Sequence, residues 1–188
     1  YSMEELKDMG FKSIGADLSI SKKASFYGVE NISIGSHVRI DDFCILSGNI
    51  KLGSYIHISA YTCLIGGVKG IILQDFVTVS SRCAVYAVSD DFSGEQLNNS
   101  MIPTAYRSVI EGRVILEDYV SVGTGSTILP GVKLEEGAAV GAMSFVKHTL
   151  EGWKIYAGAP CRYVKDRNQN MKQLRAVLQN SGEYEESR

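Results

Sequence analysis

From Leu116 the chain reads LEDYVS, VGTGST, ILPGVK, LEEGAA, VGAMSF and then Val146, so a branched apolar residue returns at every sixth position. Those positions are Leu116, Val122, Ile128, Leu134, Val140 and Val146, and a small or β-branched residue follows each of the first five by four: Val120, Ser126, Val132, Ala138 and Ser144. Period six is neither the 3.6 of a helix nor the alternation of a long strand. It fits a short extended segment, a turn and another extended segment, stacked on equivalents of itself, which is the signature of a parallel β-helix. The phase runs back through Ile14, Ile20, Phe26, Ile34, Ile40, Leu46, Leu52, Ile58, Leu64, Leu73, Val79 and Val85, giving eighteen in-phase positions, all apolar. Small insertions at Gly28–Ile32 and Gly66–Gly70, and a long one after Val85, are the breaks.

Between Ile14 and Val85 the hexads predict about four coils of eighteen residues, and the whole prism should be roughly 30 Å long at about 4.8 Å per coil. Ser89–Arg113 leaves the repeat as a projecting loop of 25 residues. Loops of that length are usually functional or disordered, and its mixture of aromatic, acidic and basic residues argues for function. At the N-terminus, Ser2-Met3-Glu4-Glu5 has the capping-box pattern, and Gly10 would close a short helix whose Met3, Leu6 and Met9 cover the open end of the solenoid. Beyond the hexads, Met171, Leu174, Val177 and Leu178 predict one apolar face of a C-terminal helix, before a polar, frayed tail, SGEYEESR. The expected division is therefore a capping helix over 1–13, a β-helix domain over 14–165 with its loop at 89–113, and a helix and tail over 166–188.

Composition narrows the function classes. A formal charge of −2 gives no general attraction to nucleic acid or anionic membrane, and no apolar run approaches the roughly 20 residues a spanning helix needs. The start, YSMEELKDMG, is acidic and amphipathic rather than a secretory signal, so a soluble, cytoplasmic protein is expected. Cys44, Cys63, Cys83 and Cys161 form no CxxC pair, which argues against a zinc site and for buried thiols in a reducing compartment.

The hexads, the mid-solenoid loop and the closing string IYAGAPCRYVKDR together resemble the hexapeptide-repeat acyltransferases, in the branch of galactoside, maltose and sugar-nucleotide acetyltransferases. The resemblance covers about Ile14 to Arg167. It implies an all-β fold, a left-handed parallel β-helix with a projecting loop and short N- and C-terminal helices. It also implies a homotrimer in which acyl-CoA, the co-substrate, and the acceptor sugar lie in a groove between neighbouring subunits. Matched residue by residue, Gly123 and Thr124 in VGTGS fall beside the thioester, and Gly141 and Ala142 in VGAMS fall along the pantetheine arm. Lys147 flanks the adenosine part, and Pro160, Arg162 and Lys165 belong to the segment whose cations meet the CoA phosphates. Backbone donors near Gly123 would stabilise the thioester oxyanion. Each glycine would equally suit a repeat corner in left-handed backbone, and Arg162 and Lys165 would equally suit a solvated face.

The acceptor side departs from that pattern. Where the O-acetyltransferases carry a histidine that deprotonates a sugar hydroxyl, the corresponding hexad here, VYAVSD, ends in Asp90, followed by Asp91. A hydroxyl needs a base that titrates near neutrality, for which histidine suits better than a carboxylate. An amine is already partly unprotonated and needs orientation and a proton acceptor, so Asp90, Asp91 and Glu95 favour an amino sugar. This is similar to the N-acyltransferases of dTDP-linked 4-amino-4,6-dideoxyglucose, including the anthrose-pathway type. His57 is the remaining candidate base, against its reading as an ordinary polar residue on a strand face; His37 and His148 read as surface residues. Tyr106 and Arg107 late in the loop, and Arg82 just before it, are candidates to stack on a nucleotide base and pair with phosphate, with loop packing as the competing reading. The expectation is acyl transfer from acyl-CoA to a nucleotide-linked amino sugar, with no metal. The rivals are O-acetylation of a galactoside or polysaccharide, and a non-catalytic scaffold.

Overall fold

A computed structural model describes residues 1–181; most of the predicted polar tail lies outside these residues. Each coil contributes one short strand to each of three faces, and equivalent strands pair in parallel from coil to coil. The first face stacks Ser13–Ile14, Ser33–Ile34, Lys51–Leu52, Ile72–Leu73, Ile115–Leu116 and Lys133–Leu134. The second stacks Ser19–Ile20, Arg39–Ile40, His57–Ile58, Thr78–Val79, Ser121–Val122, Ala139–Val140 and Ile155–Tyr156. The third stacks Ser25–Phe26, Ile45–Leu46, Cys63–Leu64, Ala84–Val85, Thr127–Ile128 and Phe145–Val146. The solenoid makes about seven turns. Its last turn reaches further than the hexad pattern: Leu150 bridges Leu134, and Lys154–Ala157 from the closing string forms the final strand of the second face.

The pattern arises because the last residue of each pair points inward. Ile34, Ile40, Leu46, Leu52, Ile58, Leu64, Val79 and Val85 are all nearly inaccessible, as are the small corner residues Cys44, Thr62, Cys83 and Ser126. Burial accordingly pushes the Cys44 and Cys83 thiols above their ordinary range. All four cysteines are free thiols.

The third residue after an inward position turns the chain and takes left-handed backbone, even where it is not glycine. At the first edge, between the first and second faces, these residues are Asp17, His37, Tyr55, Phe76, Tyr119 and Trp153. Left-handed backbone is unfavourable for side chains with a Cβ, and here stacking compensates. His37, Tyr55, Phe76 and Tyr119 follow one another with ring centroids 4.4, 4.9 and 5.5 Å apart, and Trp153 continues the column at 5.7 Å. Gly137, which fills the turn between Tyr119 and Trp153, has no room for a Cβ: it would lie 2.4 Å from the Trp153 ring.

Both predicted helices form, with one correction to the apolar face of the second. Helix α1 (Met3–Asp8) has the complete capping box and buries Leu6. Helix α2 (Asn170–Asn180) lies on the aromatic edge, where Met171, Leu174, Arg175 and Leu178 line a hollow with Phe76 and Tyr119. The Arg175 guanidinium sits 4.9 Å from the Phe76 ring centroid and bonds to Asp118 at 2.6 Å and to Asp75 at 3.3 Å. Val177 is not on that face and is 66% exposed, because it stands about 100° round the helix from Leu178.

Candidate active site

The proposed site residues separate into two groups on different edges of the prism. The first follows the second edge, between the second and third faces. There the residue after each inward position of the second face forms a row: Ser21, Asp41, Ser59, Ser80, Gly123, Gly141 and Ala157. The row is held by N–H donation from one coil to the carbonyl of the next, including Ser80 to Val122, Gly123 to Val140 at 2.7 Å and Gly141 to Tyr156 at 2.7 Å. Lower coils carry polar and charged side chains in this row, and the upper three carry glycine or alanine. The upper end of the edge is thus a strip with little side chain, bordered by exposed Thr124 and Ala142.

Left-handed backbone is not the reason for glycine there. Neither Gly123 nor Gly141 has left-handed backbone. A Cβ on Gly123 would stand 2.5 Å from the Ala142 nitrogen, and one on Gly141 would touch the Ala157 Cβ at 3.0 Å. Close approach of successive coils therefore requires them, and the bare strip is a by-product of that packing. The Gly123 N–H itself is committed to Val140, which leaves the donors adjacent to it for an oxyanion.

Above the strip the chain turns through a cis Ala159–Pro160 bond, and Arg162–Asp166 folds back antiparallel on the last strand of the second face. Phe145 donates its N–H to Gly158 and Cys161 donates to Phe145, which ties this segment to the third face. Pro160, Arg162 and Lys165 are all exposed, and among the described residues neither cation has an acidic partner. Lys147 is exposed but stands one residue past Val146, at the other end of the third face. Arg82 projects from the second edge, in left-handed backbone, below Gly125.

His57 faces outward from the second face, three coils from the end of the N-terminal cap. Its Nε2 lies 2.9 Å from Asp41 Oδ2 and 3.5 Å from Ser59 Oγ, while Arg39 Nε donates to Asp41 Oδ1 at 2.7 Å. Burial alone would push the Asp41 carboxyl up, but hydrogen bonds from His57 and Arg39 outweigh it and hold it below the usual carboxylate value.

The second group stands on the loop, which leaves from the third edge, between the third and first faces. The loop is a hairpin at its base: Val88–Asp90 pairs antiparallel with Val109–Glu111, with Val88 opposite Glu111 and Asp90 opposite Val109. A Cβ on Gly67 would press on Val88 at 2.9 Å, so glycine lets the foot of the hairpin rest on the solenoid. Asp90 is half-buried, and its Oδ1 lies 4.0 Å from Arg107 Nη1. The Arg107 Nε is buried without a hydrogen-bond partner among the described residues. Asp91 instead caps its own turn, accepting from the Ser93 N–H at 2.8 Å and the Ser93 hydroxyl at 3.0 Å. Glu95 and Tyr106 are exposed, Tyr106 at 63%. Arg107 thus faces Asp90 within the hairpin, one weak contact away from it.

One chain therefore keeps the bare strip and the Asp90 hairpin on separate edges. His57 goes with the strip and not with the hairpin. Ser80, in the same row as Gly123 and one coil below it, was not singled out by sequence, although the hexad frame places it there.

Over 179 residues, 94% of this chain and 93% of the relative, the sequence is 42% identical to the dTDP-4-amino-4,6-dideoxy-D-glucose acyltransferase of Escherichia coli. The chain belongs to this acyltransferase family. The family match carries the left-handed parallel β-helix with it. The solved structure of AntD, an N-acyltransferase from Bacillus cereus, in complex with dTDP and 3-hydroxybutyryl-CoA, superposes with a TM-score of 0.96 at 51% identity, covering 98% of each chain. A variant of AntD holding dTDP-4-amino-4,6-dideoxyglucose and coenzyme A superposes at 0.95, over 96% of this chain and 97% of that one. The polysialic-acid-specific acetyltransferase NeuO shares only the fold, with a TM-score of 0.64 at 14% identity over 90% of this chain and 95% of its own. No family model matches the sequence.

Proposed function

We propose that this protein transfers an acyl group from acyl-CoA to the amino group of a dTDP-linked 4-amino-4,6-dideoxy sugar. It is an acyl-CoA-dependent sugar N-acyltransferase. The observation that carries this reading is the chain-length similarity to an acyltransferase of that sugar, joined to a carboxylate, Asp90, on the hairpin where O-acetyltransferases place a histidine.

The chemistry follows from the residues. Where the sugar arrives as an ammonium, Asp90 holds it by charge and then relieves it of a proton. The free amine attacks the thioester carbonyl carbon, forming the C–N bond and an oxyanion. Because the Gly123 N–H is committed to its neighbouring coil, Thr124, exposed one residue on, is the donor that meets this oxyanion. The C–S bond breaks, the nitrogen's remaining ammonium proton passes to the departing sulfur, and the coenzyme leaves as the thiol. Asp91, tied to Ser93, shapes the turn, and Glu95 and Tyr106 border the acceptor. Gly123, Gly141 and Ala142 floor the pantetheine arm, with Pro160, Arg162 and Lys165 at the phosphates and Lys147 toward the adenosine. His57, oriented by Asp41, and Arg82 stand beneath the strip as acceptor-side contacts. Solved AntD structures include variants at a serine and at an aspartate ten residues further along. The same spacing occurs here at Ser80–Asp90 and Ser81–Asp91, and the first pair supports a role for Ser80 beside the thioester.

The separation of strip and hairpin supports a homotrimer in which the coenzyme on one copy's second edge meets the hairpin of a neighbour. Free thiols and a coenzyme A co-substrate support a cytoplasmic location. No helix of the described residues is long and apolar enough to cross a membrane.

A thiol-release assay with acetyl-CoA and 3-hydroxybutyryl-CoA tests the reading against dTDP-4-amino-4,6-dideoxyglucose, a dTDP-3-amino sugar and simple galactosides. Turnover with the 4-amino sugar and none with galactosides is expected. Turnover with galactosides alone would overturn it in favour of O-acetylation.

A further inference from the structure

At each edge of the prism a residue two positions before an inward one is buried in the corner, and the three edges fill that corner differently. At the first edge it is Ile56, Val77 and Val120 in successive coils, and at the third it is Ile50, Ile71 and Val114. The second edge instead places side-chain donors there. Cys44, Thr62, Cys83, Ser126 and Ser144 occupy successive coils and are between 0 and 3% exposed. Each donates to a carbonyl of the row that runs along this edge. Cys44 reaches Ser59 at 3.2 Å, Thr62 reaches Ser80 at 2.9 Å and Cys83 reaches Gly123 at 3.2 Å. Ser126 and Ser144 both donate to Gly141, at 3.1 and 2.7 Å. Burial raises both thiols above their ordinary pKa, so they stay protonated and can donate.

These bonds set the direction of the peptide planes on the strip. In a trans peptide the carbonyl of one residue and the N–H of the next point opposite ways. The Gly123 carbonyl is drawn inward to the Cys83 thiol, so the Thr124 N–H faces outward. The Gly141 carbonyl is drawn inward by two hydroxyls, so the Ala142 N–H faces outward one coil higher, about 4.8 Å away. Thr124 and Ala142 are exposed, and among the described residues neither N–H donates to a protein acceptor. Glycine also leaves the Ala142 N–H uncovered, since a Cβ on Gly123 would stand 2.5 Å from that nitrogen. The same lack of a Cβ frees the plane that follows glycine to rock, and the buried donor restrains it.

We propose that Cys83 is a positioning residue for acyl transfer: its thiol holds the Gly123–Thr124 peptide so that the Thr124 N–H meets the thioester oxyanion. The inference rests on the reading of Thr124 as the oxyanion donor. A donor of this kind is worth most when it needs no reorientation as the charge develops. Cys83 supplies that orientation from inside the prism, without touching either substrate. Ser126 and Ser144 do the same for the Ala142 N–H along the pantetheine arm.

Cys44 provides the comparison, because its thiol makes a bond of the same length to Ser59, two coils below Cys83. Cys83→Val and Cys44→Val each remove one donor and leave a residue type that the first edge already carries in this corner. Cys83→Ser keeps a donor, and Cys83→Ala replaces the valine variant if that variant does not fold. Steady-state kinetics use acetyl-CoA and dTDP-4-amino-4,6-dideoxyglucose. Infrared difference spectra follow the thioester carbonyl of isotope-labelled acetyl-CoA bound without acceptor. For Cys83→Val the expected result is a kcat lowered about 10-fold or more, with both KM values within about twofold of the unsubstituted protein. Its carbonyl band should move back toward the frequency of free acetyl-CoA. Cys83→Ser and Cys44→Val should keep kcat within about twofold and the band below the free frequency, whatever they do to the melting temperature. A Cys83→Val kcat within about twofold of that of Cys44→Val, or the same carbonyl band in both, would overturn the proposal. So would an unsubstituted protein whose bound thioester band matches free acetyl-CoA. Turnover of galactosides and not of the amino sugar would remove the N-acyltransferase reading instead, and the infrared comparison, which needs no acceptor, would still decide the role of Cys83.

Discussion

Asp90→Asn is expected to lower kcat by about 10²- to 10³-fold while leaving the fold and the KM for acyl-CoA nearly unchanged. The substitution keeps the size of the side chain and its place opposite Val109 in the hairpin. It removes the negative charge that attracts the ammonium and the oxygen basicity that takes its proton. It also leaves Arg107, 4.0 Å away in the unsubstituted protein, without its carboxylate. Stopped-time assays with dTDP-4-amino-4,6-dideoxyglucose, read beside a thermal melt, separate the chemical loss from any loss of structure. A kcat within about threefold of the unsubstituted protein would remove Asp90 from the chemistry and return attention to His57 and its partner Asp41.

The largest effect on stability is expected from the interior. Leu64→Ala should lower the unfolding free energy by about 3 kcal/mol, because a fully buried leucine loses both its transfer energy and its packing. Leu64 is completely inaccessible and stacks between Leu46 in the coil below and Val85 in the coil above. In a solenoid each coil is supported chiefly by its neighbours, so a cavity in the middle coils weakens the contacts on both sides. For a chain of this length the melting temperature should fall by roughly 10 °C. A fall of less than about 2 °C would mean that the interior closes over the gap, against the tight stacking seen along this face.

How much of this was legible in the sequence depended on what repeats. The inward residues repeat every six positions, so the coils, their number before the loop and the buried Cys44 and Cys83 could be read directly. The aromatic first edge repeats too, three residues after each inward position, but the attention given to the apolar frame hid His37, Tyr55, Phe76 and Tyr119 as a stacked set. The pairing of His57 with Asp41 was likewise implicit once coils of eighteen residues put Arg39 beside His57, since Asp41 follows Arg39 by two. The hairpin was not legible, because Ser89–Arg113 has no period and its pairing of Val88–Asp90 with Val109–Glu111 is set by tertiary packing on Gly67. The hexad phase does set the edge of Ser80, Gly123 and Gly141, but it says nothing of the candidates on the loop.

That separation by edges gives the account its central claim: acyl transfer takes place between a coenzyme on one copy and a hairpin on another. Mixed assemblies of two variants test this directly. Asp90→Asn spoils the hairpin, and Ala142→Glu spoils the strip, placing charge and bulk at an exposed position on the second edge. Each variant alone should be nearly inactive. When the two are co-expressed and assemble together, sites built from two different copies should include about a quarter with both an intact strip and an intact hairpin. Recovery to roughly that fraction of the unsubstituted activity is the predicted result. Mixed assemblies, verified by mass, that stay as inactive as either parent would contradict a site shared between copies.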